Sequence, residues 1–478
     1  MPHAPAHPAS VVRGGRRRFT ADSRGDALLS LQLQVIWRTM RQQSPAFWAT
    51  FLYVFFEYVR PQTIYKAIDV VPWPQIFLFS AVGLTVLEGR LRFTSKALWG
   101  SVVLFTAVII ASALTAQYPE ASWAAKDVWI NWLLLMLIVG GGVRTRGEFI
   151  LQLLGFVLWN IKMSQHGVQA WIGSGFSFVA WGVSGGPGWF QNSGEFGIEM
   201  CVFLPLAGYL TLGVWPRLSK NRRLIMLAIV ASGLISIVAS SSRGALLGAG
   251  LLAVWVVWRS PYRLRAIMII VPLAALTWLV LPEGNKARWR SAGSDKDSLR
   301  RLTYWTDGIQ IAKEHPVLGI GYRNWIPYYR RRYNPEGELP HNYLIEAVSE
   351  LGFTGLFVFV GMTGAFFWQN AQTRRRVGLK SRNPDRLLWA MTYGLDGAMM
   401  GFLASGFFIT VLYYPYYWMN LSLAMALARV ASVTGSAGDW RNANRGITVQ
   451  AIHRVEPIGP DARRDRAHRG LVNGVAVR

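Results

Sequence analysis

The sequence predicts an all-α, polytopic integral membrane protein, and three observations carry that prediction. Hydrophobic residues make up 52% of the 478-residue chain and charged residues only 16%, against about 25% charged in a soluble domain. The apolar residues gather in about twelve blocks, several short of the ~20 residues that a helix needs to cross the hydrocarbon core. One long polar stretch, Glu283–Pro340, interrupts the series. The 22 Trp suit a protein with two interfacial aromatic belts.

The elements follow in order. Residues 1–44 form a basic tail, with Arg16-Arg17-Arg18 and no apolar core of a cleavable signal peptide. The first span is expected to act as its own uncleaved signal. Segment 27–38 reads as an amphipathic helix at the inner surface. Spans are predicted near 45–59, 73–89, 98–116, 127–142, 149–163, 195–214, 223–240, 243–258, 265–281, 342–369, 388–411 and 413–432. The pairs 223–240/243–258 and 388–411/413–432 have almost no linker and read as tight helical hairpins. The domain reading is therefore a tail at 1–44, nine spans within 45–281 with an outer loop near 164–194, an outer loop at 282–341, three spans within 342–432 and a disordered tail at 433–478. Outer loops this long are uncommon unless functional.

An even span count puts both termini on one side. With the termini inside, 34 of the 50 Lys/Arg lie on inner segments, and 11 of the 16 outer ones lie in Glu283–Pro340. The short loops obey the positive-inside rule, from which long loops are exempt. The net charge of +25 thus faces anionic headgroups. Nucleic acid is not implied, because no binding module accompanies the charge. Cys201, the lone cysteine, sits in an apolar run without the partners of a disulfide or a zinc site. It reads as a small buried hydrophobe.

Positive charge concentrated outside suggests a site for an anion. The outer loop sets eleven bases against seven acids. A helix is expected from about 300 to 313, with Arg301 and Trp305 on one face. Arginine forks suit phosphate oxygens. Arg243, at the outer end of the eighth span, either holds a phosphate or snorkels to the interface. His341 opens the helix after the loop. The partial positive charge of a helix N-terminus favours the neutral ring, which can take a proton from a hydroxyl; capping is the plainer role. Asn342, Glu346 and Glu350 form a polar stripe on that helix. Arg323, Glu195 and Asn342 are further candidates for substrate contact. Glu195 and Glu199 bind substrate or pair with Arg243. Glu57 and Arg60 form a local ion pair or a second phosphate contact. Asp295-Lys296-Asp297 has the spacing of some metal-binding glycosyltransferases, but so short a motif is weak, and no metal site is assigned.

These motifs occur in a telling order: Ser-Ser-Arg243-Gly-Ala, Arg301-x-x-x-Trp305, His315-Pro-Val-Leu-Gly-Ile-Gly, then His341-Asn-Tyr-Leu and Glu350-Leu-Gly-Phe-Thr-Gly-Leu. The set resembles the bacterial O-antigen ligase and O-antigen polymerase superfamily. Phe56-Glu57-Tyr58-Val59-Arg60-Pro61-Gln62 resembles a branch described as exosortase-associated O-glycosylation ligases. The resemblance implies a GT-C-like, metal-independent glycosyltransferase of the inner membrane that needs no cofactor. Its donor would be a glycan on undecaprenyl pyrophosphate, presented at the periplasmic face. His341 would be the general base, and Arg243 and Arg301 would hold the pyrophosphate. The acceptor would be lipid A–core or another hydroxyl. A polymerase or a protein O-glycosylation ligase on the same donor is the alternative. A polysaccharide transporter is disfavoured by the lack of a clear internal repeat, and a cysteine peptidase by the position of Cys201.

Overall fold

The computed structural model of the chain describes residues 27–175, 182–260, 262–281, 283–378 and 384–433. Most of both predicted tails lies outside the described residues. The described residues are helical and contain no strand. The helices are α1 Leu33–Met40, α2 Pro45–Tyr58, α3 Trp73–Leu87, α4 Lys96–Leu114, α5 Pro119–Gly140 (broken near its start and ending in a π-helical turn), α6 Arg146–Gly173, α7 Ser193–Val214, α8 Lys220–Ala239, α9 Arg243–Arg259, α10 Arg263–Val280, α11 Glu283–Arg290, α12 Lys296–Glu314, α13 Trp325–Arg332, α14 Tyr343–Val377, α15 Arg386–Gly406 and α16, residues 415–433. A helix falls on each of the twelve predicted apolar segments. Six of them, α4, α5, α7 with its following turn, α8, α10 and α14, are long and apolar enough to cross a membrane. The protein is a polytopic helical membrane protein on this evidence.

The most enclosed of these six helices is α7, packed by α8, α9 and α15. Small residues allow the approach. A Cβ on Gly197 would lie 2.5 Å from the Ala245 Cβ, and one on Gly401 would lie 2.6 Å from the Cys201 carbonyl oxygen. Cys201 is itself buried in this seam. By contrast α10 buries none of its residues and packs mainly on α9, as expected of a helix bathed in lipid.

Three predicted boundaries are corrected. α1 starts at Leu33, because Leu31 turns left-handed with φ 51°; its Leu33 and Trp37 are exposed, the pattern of an interfacial helix. α6 continues to Gly173 rather than stopping at 163. Lys162, Gln165 and His166 end the apolar run but point outward, while Met163, Ser164 and Gly167 stay buried. In the first predicted hairpin only residues 240–242 separate α8 from α9, and both arms pack on α7, α8 also meeting α6 and α9 also meeting α15. The second is not linkerless, because residues 407–414 form a connector between α15 and α16.

Candidate functional site

The polar loop from residue 283 to 340 is held in place by one turn of α14. Gly352 interrupts that helix with φ 68° and ψ −175°. A side chain there would strike the Val317 carbonyl at 2.4 Å, and one on Gly319 would meet the Glu350 backbone at 2.4 Å. Both glycines have positive φ, which a side chain rarely adopts. The two backbones then pair: Ile320 N–H donates to Ser349 O at 2.9 Å, Gly321 N–H to Glu350 O at 3.1 Å, and Phe353 N–H to Pro316 O at 2.8 Å. The Glu350 carboxylate accepts from Arg323 N at 3.0 Å and Trp325 N at 3.1 Å. The two glycine-bearing motifs of the sequence are therefore the two halves of one joint.

That joint positions α12, and α12 carries the site. Trp305 donates through Nε1 to the Pro340 carbonyl at 2.9 Å, and its ring packs edge-on against Phe407 at 5.4 Å. His341 follows Pro340 in the left-handed region, φ 51°. Histidine is one of the residues enriched there, and such a conformation persists only when its surroundings hold it. Thr410 Oγ1 does so by accepting from His341 N at 2.8 Å. The His341 Nε2 lies 3.8 Å from Glu338 Oε2. Burial pushes the His341 pKa below the ordinary 6.5, the charge of Arg301 pushes it further, and Glu338 opposes both. The neutral ring is thus favoured as expected, but for another reason. His341 stands outside the helix, one residue before the N-cap Asn342.

Arg243 and Arg301 meet beside this histidine. Arg243 Nη1 pairs with Asp295 Oδ2 at 3.1 Å. Arg243 and Ser298 hold the Asp295 carboxyl well below the usual carboxylate range. Asp295 also caps α12 by accepting from Ser298 N at 3.0 Å, so its carboxylate is committed to this local network. Arg301 is half-buried and makes no ion pair with any described residue. Burial lowers its pKa and the Arg243 charge adds to that, while the charges of Asp297 and Asp295 oppose both.

Below Arg243 opens an apolar cavity of about 900 Å³ between α7, α8, α9 and α10. It reaches from Trp215 at one end of these helices to Leu281 and Trp289 at the other, and Leu246 in its wall is one turn from Arg243.

The other predicted residues lie as follows. Asn342 accepts from Leu344 N at 2.8 Å and Ile345 N at 3.2 Å, so its carbonyl oxygen is used in capping. Glu346 accepts from Leu412 N at 3.0 Å. The polar stripe of α14 thus clamps backbone. Glu195 forms a capping box with Asn192 and accepts from Tyr414 Oη at 2.8 Å. The guanidinium of Arg323 lies over the Tyr413 ring at 5.7 Å; burial would lower its pKa, but Glu350 and Glu346 outweigh that and raise it. Arg60 is placed elsewhere, against Glu57 at 3.1 Å and Trp189 at 5.7 Å. Sequence reasoning missed Thr410 and Glu338, the two residues that hold and tune His341. Neither belongs to a motif.

A helical membrane protein with a docked polar loop, a neutral histidine beside two arginines and an apolar cleft beneath them is the class that this fold and site define. Residues 206–360 match the family model described as O-antigen ligase. No curated protein matches the chain. Arg243, Arg301, Arg323 and His341 fall within the matched residues; Arg60 and Glu195 fall outside.

Proposed function

We propose that the protein is a GT-C-like glycosyltransferase that moves a glycan from undecaprenyl pyrophosphate to an acceptor hydroxyl, lipid A–core in the first instance. The reading has twelve spans, both termini in the cytoplasm and the site at the periplasmic face of a bacterial inner membrane. The observation that carries it is the placement of Arg301, a half-buried cation that makes no ion pair with a described residue and lies beside Arg243 and His341. A pyrophosphate would bring negative charge to the two arginines, and the apolar cavity would take the adjoining isoprenoid chain.

In the proposed reaction His341 accepts the acceptor hydroxyl proton as the oxygen attacks the anomeric carbon. The bond from that carbon to the pyrophosphate oxygen breaks, and its electron pair leaves on the pyrophosphate. Arg243 and Arg301 neutralise the charge that develops there. Displacement from the opposite face inverts the anomeric centre. This reading assigns the neutralising charge to arginine rather than to a metal.

The test is deletion of the gene, with lipopolysaccharide and free polymer compared. Loss of all O-antigen bands with free polymer retained supports the ligase. Collapse to a single repeat on the core would reassign the protein as a polymerase on the same donor, and unchanged lipopolysaccharide with lost glycoprotein would make it a protein O-glycosylation ligase.

A further inference from the structure

A second cavity, of about 330 Å³, lies outside the cationic site, where the end of α2 and the chain following it meet α5 and Trp189. It falls at the lower end of the ~300–1,000 Å³ range of small-molecule sites. Its construction is specific. Arg60 adopts φ 48°, and its side chain lies so close to Gly188 that a Cβ there would come within 2.6 Å of it. Glu57 Oε1 accepts from Trp189 Nε1 at 2.6 Å and from Arg60 Nη2 at 3.1 Å. Left-handed residues held by their surroundings cluster at ligand sites.

The lining chemistry selects the ligand. Its charged residues are three carboxylates, Glu57, Asp69 and Asp127, and one guanidinium, Arg60, which Glu57 already pairs. Asp127 is exposed, with Lys126 at 3.8 Å. Gln62 is 7% exposed. Its Nε2 is spent on Phe56 O at 3.3 Å, and its Oε1 is buried without a hydrogen-bond partner. A buried acceptor left unmatched is costly unless a ligand supplies the donor. Such a wall is rich in acceptors, to which Gln75 and Asn131 add amides that both donate and accept. A phosphate brings a further negative charge to three carboxylates and is disfavoured on that count. A metal is not indicated either, since no group of three or more His, Cys, Asp or Glu among the described residues is arranged to hold one. A polyol matches: its hydroxyls donate to carboxylate and amide oxygens, and its C–H faces suit an aromatic wall. Trp132 and Trp189 provide that wall, 5.5 Å apart between ring centroids.

The cavity is also joined to the cationic site. Trp132 Nε1 donates to the Tyr413 carbonyl at 2.8 Å, and Trp189 packs on Tyr414 at 5.0 Å. Three residues earlier in the same connector, Thr410 holds His341. We propose that this cavity is a subsite for an uncharged carbohydrate, separate from the phosphate site and reached by the glycan of one of the two substrates. The assignment of sugar as ligand stands on the lining alone; its place in the reaction rests on the glycosyltransferase reading.

The test measures binding without turnover. Protein in nanodiscs is titrated by saturation-transfer NMR with dephosphorylated core oligosaccharide, with repeat-unit oligosaccharide freed of its carrier, and with inorganic phosphate. One of the two sugars is expected to bind, which identifies its source as acceptor or donor. Gln62→Ala and the isosteric, surface-lying Asp127→Asn should each weaken it by about tenfold, one hydrogen bond's worth. His341→Ala and Arg243→Ala should leave it unchanged. Sugar binding lost in Arg243→Ala but kept in both pocket variants overturns the proposal, as does failure of both sugars to bind or competition by phosphate. Binding with these properties in a protein that transfers no glycan would sink the glycosyltransferase reading and leave the subsite standing.

Discussion

Two ends of the helix bundle use arginine in opposite ways. At the end away from the site, three described arginines are paired with carboxylates and a fourth with backbone carbonyls. Arg90 pairs with Glu148 at 2.5 Å and Glu88 at 3.0 Å, Arg146 with Asp385, and Arg374 with Asp396, while Arg429 donates to the carbonyls of Gly141 and Arg90. At the other end Arg301 makes no ion pair with a described residue, and burial and the Arg243 charge lower its pKa against the opposing charges of Asp297 and Asp295. A buried charge without a close partner is expensive. The difference teaches that abundance of arginine says little, and that a half-buried arginine set beside a second arginine and a histidine distinguishes the site.

The sharpest way to break this comparison is at His341. His341→Ala should insert and fold but lose about 10²–10⁴ in transfer rate, the usual worth of a general base. His341→Asn retains a residue that tolerates the left-handed backbone and should be equally inactive. Substantial transfer by purified His341→Asn with lipid-linked donor would end the base assignment. The pH profile adds a sign. The base works neutral, so the rate falls as pH drops through a pKa lying below 6.5. Removing the Glu338 charge with Glu338→Gln should move this acid limb lower still.

At the opposite end, Arg90→Ala should act on stability alone. Arg90 is 4% exposed and bridges two carboxylates, and breaking a buried pair costs about 3–5 kcal/mol. The thermal midpoint in detergent should fall while transfer per folded molecule is unchanged. A variant of normal stability with impaired transfer would erase the distinction between the two ends.

Much of this was legible in the sequence, for reasons that particular residues make plain. The apolar blocks located the helices that fall on the predicted spans, because burial or lipid contact is what those residues share; α11 and α13, inside the polar loop, were not foreseen. Arg243, Arg301 and His341 stood in an ordered set of motifs. What was hidden depends on backbone meeting backbone. Phe407 to Ile409 extend an apolar run, so they read as span, yet Phe407 and Phe408 leave the helix to pack on Trp305. Glu350 reads as a polar stripe residue, and its role as a clamp exists only once residues 323–325 are folded over it. Asp295 carries the spacing of a metal motif but serves as a helix cap and the partner of Arg243.

Arg301 should give a smaller effect than His341. Arg301→Ala is expected to raise the donor KM by roughly 10–100-fold, on the scale of a lost charge-assisted contact, and Arg301→Lys should recover only part, since lysine lacks the fork. Because Arg301 helps hold the His341 pKa down, Arg301→Ala should also shift the acid limb upward, opposite to Glu338→Gln. A limb that does not move would separate Arg301 from the histidine.

The smallest effect is expected at Asp295, and it refines the comparison most. Asp295 is the described carboxylate that pairs with Arg243, and it lies partly open to solvent. A pyrophosphate must compete with it for the same guanidinium. Asp295→Asn keeps an oxygen for the Ser298 cap but removes the competing charge. Donor KM should therefore fall a few-fold, about 1 kcal/mol or less for a surface pair, with kcat nearly unchanged. The metal reading of the same residue makes the contrary forecast: transfer strictly dependent on Mg²⁺ or Mn²⁺ and abolished in Asp295→Asn. One titration of donor against wild type and variant, with and without chelator, decides between them, because a gain in donor affinity cannot come from deleting a metal ligand.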